Sequence, residues 1–267
     1  MTNRRTFCLA GSAALIAGCG GMARSSAFAA RDELGSTGKL RAAINFGNPI
    51  LARRGSAGEP TGVSVDLARE AARRLDLPLE LVPFTSAGNT VEAVKAKQVD
   101  LAFVAIDPVR AADMEYTAPY VIIEGAYLVR EGSPLRRNED VDRAGTRIAV
   151  GRGSAYDLYL TRELKQASLV RVPTSPEVVD AFLAQNLEVA AGVKQQLEGD
   201  ARRVRGVRLL PGRFMVIEQA MGVPKGRVAA QAWLNGYIDE MKKYGFVTQA
   251  LARHGIQGAV VAPSVGG

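Results

Sequence analysis

Residues 100–120 read DLAFVAIDPVRAADMEYTAPY. Residues 101–106 form an apolar run of strand length, closed by Asp107-Pro108. Asp is a good helix N-cap and Pro suits the first helical position, so the run predicts a strand followed by one short helical turn carrying Arg110. The free N–H groups of that turn face the carboxyl end of the strand, where open α/β sheets bind ligands. An arginine there can grip a carboxylate through two parallel hydrogen bonds. Taken in isolation, Arg110 reads equally well as a surface residue, and the surrounding chain has to decide.

Outward from this stretch, strand-like runs alternate with amphipathic helices, which predicts βαβ units and mostly parallel sheets in an α/β fold. Residues 40–46 read as a strand ending in Gly47-Asn48-Pro49. Residues 64–75 read as a helix with Val65, Ala68, Ala72 and Leu75 on one face. Residues 79–84 are a second strand, and Asn89 with Glu92 three positions on resembles a capping-box start of a helix to about residue 97. A strand over 122–129 follows. Residues 147–150 begin a second cycle, in which Ser154 and Asp157 have capping-box spacing for a helix to about residue 165. Strands are expected at 169–172, 187–191, 207–210 and 214–223. Helices are expected to start at Ser175-Pro176 and at Lys194, and to close the chain over 228–244 and 246–254; the tail after Gly255 shows no pattern. Phe46 and Phe84 sit at strand ends, where they could wall a pocket or join the core. Asn48 could reach a ligand or satisfy its own turn.

Composition excludes several chemistries. Asn3-Arg4-Arg5-Thr6-Phe7-Cys8-Leu9 nearly matches a twin-arginine export signal, followed by an apolar run too short to span a membrane. Two processing points are on offer. Ile16-Ala17-Gly18-Cys19 resembles a lipobox that would acylate Cys19, and Ala27-Phe28-Ala29 is an A-x-A cleavage site. Loss of residues 1–29 removes three arginines and no carboxylate, taking the net charge from +7 to +4. That spread-out balance argues against a nucleic-acid surface. Both cysteines, Cys8 and Cys19, lie in the signal, so the body has neither disulfide nor thiol nucleophile. His254 is the only histidine, which nearly excludes His-based triads and His-rich metal sites. No cofactor or metal is expected.

The ordered set of segments resembles the solute-binding proteins of polar-amino-acid ABC importers. Asp-apolar strand-x-Pro-x-Arg followed by Tyr116-Thr117-Ala118-Pro119-Tyr120 is one such segment; Gly62-Val63-Ser64-Val65-Asp66-Leu67-Ala68 and Ile148-Ala149-Val150-Gly151-Arg152-Gly153-Ser154 are the others. The resemblance implies a two-lobe periplasmic-binding-protein-like fold. Each lobe would be a mostly parallel sheet flanked by helices, with two hinge crossings between them. Lobe one would comprise residues 38–124 and 220–262, and lobe two residues 125–219. It implies a monomer in the periplasm, held at the membrane only if Cys19 is lipidated, that delivers a small amino acid or related organic anion to a membrane permease.

The resemblance also implies a site. Arg110 matches the carboxylate-binding arginine, and Gly153, Ser154 and Ala155 match a second-lobe helix start. Ala105 stands where the family has a serine. Lys194 stands where an ammonium-binding aspartate is expected. A lysine cannot accept from an ammonium. The ammonium partner is therefore elsewhere (Asp107 or Glu124), or the register is shifted, or the ligand is not a simple α-amino acid. Two other functions share this shell: an exported cyclohexadienyl or arogenate dehydratase, whose general acid would have to come from Glu124, Glu218 or Lys194, and a ligand sensor. No nucleophile–base pair stands in the chain, so a non-enzymatic binding protein is the expectation.

Overall fold

The computed structural model describes residues 19–264; the twin-arginine part of the signal, residues 1–18, lies outside the described residues. The chain runs α1 (Cys19–Leu34), β1 (Leu40–Asn45), a short ribbon of β2 (Arg53–Arg54) and β3 (Pro60–Thr61), α2 (Val63–Arg74), β4 (Leu79–Phe84), α3 (Ala87–Lys95) and β5 (Leu101–Ala105). A 3-10 turn at Arg110–Ala112 leads into β6 (Met114–Tyr116) and the long β7 (Val121–Arg130). The second cycle is β8 (Arg147–Gly151), α4 (Ala155–Glu163), β9 (Ser168–Val172), α5 (Val178–Ala184), β10 (Val189–Val193), α6 (Lys194–Arg203) and β11 (Val207–Leu209). The long β12 (Met215–Pro224), α7 (Val228–Lys243), α8 (Phe246–Arg253) and β13 (Val260–Val261) complete it.

One sheet path, β4-β1-β5-β12-β7-β10-β8-β9, runs through the molecule. Its two ends repeat one arrangement. β4, β1 and β5 are parallel and β12 joins β5 antiparallel; β9, β8 and β10 are parallel and β7 joins β10 antiparallel. β5 and β10 are buried along their whole length, which is why LAFVA and VAAGV read as unbroken apolar runs. The two ten-residue strands carry the chain between the lobes. β7 pairs with β12 through Val121–Gly125, then with β10 and β11. β12 pairs with β7 up to Gln219, then with β5 and β6. A Cβ at Gly125, where β7 changes partner, would stand 2.6 Å from Met215 Cγ, so the crossing needs glycine.

Burial separates along the same line. Leu40, Ile44, Val65, Leu67, Leu101, Phe103 and Leu234 belong to one core, with Tyr120, Val121 and Ile123 from the start of β7. Past Gly125, the faces of β7 split: Tyr127 and Val129 pack with Ile148 and Leu160, while Ala126 and Leu128 pack with Phe182 and Leu197.

Three details depart from the sequence expectations. α3 is capped by Ser86, whose Oγ accepts from the Asn89 N–H at 3.2 Å. Asn89 contributes only its backbone donor, because the helix starts at Ala87. The patternless tail forms β13 against Val121 and Ile122, a pairing too short to show a period. Residues 30–34, outside the expected lobe boundaries, are part of the packed body: Ala30 and Leu34 are fully buried, and Glu33 Oε2 accepts from Ala230 N–H in the first turn of α7 at 2.7 Å.

At the amino end of β5, away from Arg110, Asp100 is fully buried. Arg41 reaches its carboxylate through Nε and Nη2 at 2.8 and 2.9 Å, and Arg227 through Nη1 at 2.8 Å. Burial alone pushes this carboxyl up, but the hydrogen bonds from Arg41 and Arg227 outweigh it and hold it below the ordinary carboxylate value. Because the folded value is depressed, this stabilisation is present above the unfolded carboxyl's pKa and is lost as pH falls through the folded one. Asp100→Ala leaves two guanidinium groups without their shared partner. Urea denaturation at neutral pH is expected to show a loss of about 3–5 kcal/mol. A loss under about 1 kcal/mol, the scale of an exposed pair, would contradict the assignment.

Candidate functional site

The carboxyl ends of β1, β5 and β10 and the segments that follow β8 and β9 converge, with β12 beside them, on a small cavity of about 30 Å³. Asn45 and Asn48 reach it from the end of β1, Ala105 from β5, and Ile217 and Gln219 from β12. Across the cleft, Ser154, Ala155 and Tyr156 line it from the start of α4, Ser175 from the segment after β9 and Val193 from the end of β10.

Arg110 is the one charged residue in that lining. It is 3% exposed, and its guanidinium donates to two carbonyls: Nη1 to Ala105 O and Nη2 to Gly153 O, each at 2.8 Å. The two carbonyls belong to opposite sides of the cleft, so the side chain spans it. Burial pushes the guanidinium below its ordinary value, with Tyr116 and Asp107 acting the other way; an arginine so placed remains a cation. The turn that presents it is held by Asp107, whose Oδ1 accepts from Val109 N–H at 2.8 Å. Gly153 (φ 69°) faces Gly88 of the first turn of α3 across the cleft. A Cβ on Gly153 would stand 2.9 Å from Gly88 Cα.

Ser154 caps α4 as expected, but the capping box is not completed, because Asp157 reaches back to the N–H of Gly153 and not to that of Ser154. Ser154 Oγ accepts from Asp157 N–H at 3.1 Å, and Asp157 Oδ2 accepts from Gly153 N–H at 2.8 Å. The helix therefore directs its positive end at the cavity. Several lining groups have no hydrogen-bond partner. The Asn48 amide makes no side-chain hydrogen bond among the described residues, and its Oδ1 is shut off from solvent. Tyr156 is 2% exposed, and its hydroxyl lies near Ser154 and Ser175 but outside hydrogen-bond geometry with either.

Of the residues singled out in the sequence, Arg110, Ala105, Asn48, Ser154 and Ala155 come together here, and Gly153 joins them through its carbonyl. Five others do not line the cavity. Lys194 Nζ is tied to Glu124 Oε2 at 3.0 Å, and Arg213 holds the other Glu124 oxygen at 2.7 Å. The Lys194 ammonium therefore has a carboxylate partner, and Glu124 has two cations. Asp107 turns its Oδ2 to Arg162 at 3.0 Å, an ion pair across the cleft mouth. Phe46 lies under the Arg54 guanidinium, 5.0 Å from its ring centroid, in a neighbouring groove. Phe84 packs on the cluster of Ala43, Val94 and Val104. Sequence reading passed over Asn45, Tyr156, Ser175, Ile217 and Gln219. The strand-end rule that found Asn48 also covers Asn45 and Ser175, and Gln219 stands out as an uncharged polar residue inside an apolar strand. Tyr156 and Ile217 carry no such signal.

A larger open groove of about 670 Å³ lies at the far end of the second lobe. Its walls mix small residues with Pro134, Leu135 and Leu187, its Glu188 is paired with Arg147 at 2.8 Å, and its Arg130 is engaged with Leu187 O at 2.9 Å and with the Phe182 ring. It lacks the convergence of buried, unpaired polar groups that marks the cleft.

A two-lobe α/β shell joined by paired crossing strands, with a buried arginine in the cleft, defines a protein built to enclose a small solute. The chain belongs to the bacterial extracellular solute-binding proteins, family 3, which it matches over residues 40–256. It is 24% identical to the L-cystine-binding protein TcyJ of Escherichia coli K12 over 225 residues, 80% of this chain and 81% of that protein. Its fold is similar to the solute receptor for L-cysteine of Neisseria gonorrhoeae, with TM-score 0.75 and 22% identity over 86% of this chain and 95% of that one. It is also similar to the ancestral amino acid-binding protein AncCDT-1, a precursor of cyclohexadienyl dehydratase, with TM-score 0.71 and 20% identity over 84% and 98% of the two chains. All three are described as binding proteins or receptors, including the one whose description mentions the dehydratase.

A side chain at Gly153 would meet the opposite lobe at Gly88. Gly153→Ala introduces a side chain into left-handed backbone, at a cost of roughly 1–2 kcal/mol, and drives a methyl group against the opposite lobe. Small-angle scattering is expected to show a larger radius of gyration than wild type. An unchanged radius would show that the contact yields without opening the cleft.

Proposed function

We propose that the chain captures a small amino acid or a related organic anion between its lobes and delivers it to the membrane permease of an ABC importer. Arg110 and the N-terminus of α4 receive the carboxylate, with Ser154 beside them; Asn48 and Ala105 shape the remaining wall. The observation that carries this reading is the guanidinium itself, a buried charge placed at the strand ends of the cleft and held by one carbonyl from each side. A bound carboxylate would compete for donors that now close the cleft on themselves, so ligand capture and lobe closure would draw on the same hydrogen bonds. The lobes, residues 38–124 with 220–262 and residues 125–219, would move about β7 and β12. The family membership and the amino-acid ligands named for the relatives support the solute class.

The test is calorimetry on Arg110→Ala with the carboxylate that binds wild type most tightly in a panel of amino and organic acids. A loss of about 2–5 kcal/mol in binding, with the fold retained by circular dichroism, is expected. Unchanged binding would remove Arg110 from the site.

A lipid on Cys19 would keep the protein at the membrane face beside its permease. Cys19→Ala is expected to shift the protein from the membrane to the soluble fraction. A wild-type protein that is already soluble and starts at Ala30 would assign processing to the A-x-A site instead.

A further inference from the structure

The cleft's balance of charge selects among the ligands that the proposed function allows. The lining has one fixed cation, Arg110, and no carboxylate. The positive end of α4 adds to it. Every acidic residue that could compensate is accounted for. Asp107 is paired with Arg162 at 3.0 Å, Asp157 with Arg171 at 2.9 Å, and Glu124 with both Lys194 and Arg213. Glu218 lies between the lining residues Ile217 and Gln219 of one strand, is exposed, and so points to the opposite face. Glu177 is exposed and borders the neighbouring groove beside Arg53 and Arg54.

An ammonium enclosed in this cavity would meet only neutral acceptors and a guanidinium of its own sign. Burying an ion without a counter-charge is costly, and a like charge adds to the cost. A carboxylate has the opposite fate, because it neutralises Arg110. The neutral groups left over ask for a neutral partner. The Asn48 amide is 8% exposed with an orphaned Oδ1, and the Tyr156 hydroxyl is 2% exposed and unpartnered. Each can exchange a hydrogen bond with a ligand hydroxyl. Leaving them unpaired around a purely apolar ligand would forfeit that interaction.

We propose that the cleft takes a small monocarboxylate bearing a neutral hydroxyl, a 2-hydroxy acid, in preference to the zwitterionic 2-amino acid of the same shape. The ligand's carboxylate faces Arg110 and the α4 N-terminus, and its hydroxyl faces Asn48 and Tyr156. This rests on the cleft being the carboxylate site described above.

Matched pairs that differ only in hydroxyl against ammonium isolate the charge: L-lactate and L-alanine, and L-glycerate and L-serine. Titration calorimetry of the purified protein at neutral pH is expected to give the hydroxy acid of a pair the lower Kd by roughly ten-fold or more. Asn48→Asp, nearly isosteric, supplies the missing carboxylate and is expected to reverse the order. An amino acid that binds wild type as tightly as its hydroxy partner overturns this inference and leaves the carboxylate site standing. Failure of all four compounds to bind overturns the inference, while the carboxylate site is decided separately by Arg110→Ala with the tightest ligand of the wider panel. A hydroxy-acid preference that Asn48→Asp leaves unchanged also overturns it, because the discrimination would then have a source other than the missing counter-charge.

Discussion

The antiparallel pairing of β7 with β12 is the constraint on which the molecule depends. Each of these ten-residue strands is hydrogen-bonded to the other over half its length and to a different lobe over the remainder. Two sheets that would otherwise be separate are therefore joined by a ladder of backbone bonds. Such a ladder resists shear, because sliding by one residue would turn every inward side chain outward. It still allows bending where the partners change, near Gly125 and Gln219. A cleft whose walls belong to different lobes but share two strands can open and shut without losing register.

Within that frame a single buried charge is solved in an unusual place. A guanidinium removed from water needs its donors filled, and Arg110 fills two with carbonyls from facing lobes. The arrangement uses the same donors that a ligand would use. At Gly153 the backbone comes so close to the facing lobe that a Cβ there would stand 2.9 Å from Gly88 Cα, whereas a Cβ on Gly88 would meet Gly153 at ordinary contact distance. The facing lobes meet here through close backbone at Gly153, through Arg110 and through the Asp107–Arg162 ion pair.

The carboxylates around the cleft follow the opposite logic. Asp107 and Asp157 stand close to lining residues in the chain and Glu124 meets Lys194, which follows the lining Val193, yet each is turned into an ion pair with an arginine or lysine. The same chain that is mildly basic as a whole leaves its binding cavity with an unbalanced positive charge. Asp100, at the other end of β5, shows the structural use of the same chemistry: a buried carboxylate with two arginines, holding β1, β5 and the start of α7 together.

Much of the architecture was legible in the sequence because it is local. Unbroken apolar runs mark the buried strands β5 and β10, period-3.6 stripes mark α2 and α7, and Ser154 with Asp157 marks the start of α4. Asp107-Pro108 located Arg110 at a strand end, and the ordered segments pointed to the family. Most of what escaped was set by partners far apart in the chain. Two residues are too few for Val260–Val261 to announce β13 against Val121 and Ile122; the cap of α3 is a separate, local miss, because Ser86 and Asn89 are both capping residue types and stand three positions apart. The fate of each charge was beyond reach because its partners are far apart in the chain. Glu124 finds Lys194 70 residues on and Arg213 89 residues on, and Asp107 finds Arg162 after 55. By itself the sequence determined which residues could carry charge, which elements they stood on and which strand ends would face a ligand. Only the tertiary structure decided which charges cancel one another and which one is left facing the cavity, because ion pairing is a matter of distance in space and the folding of two lobes about shared strands sets those distances.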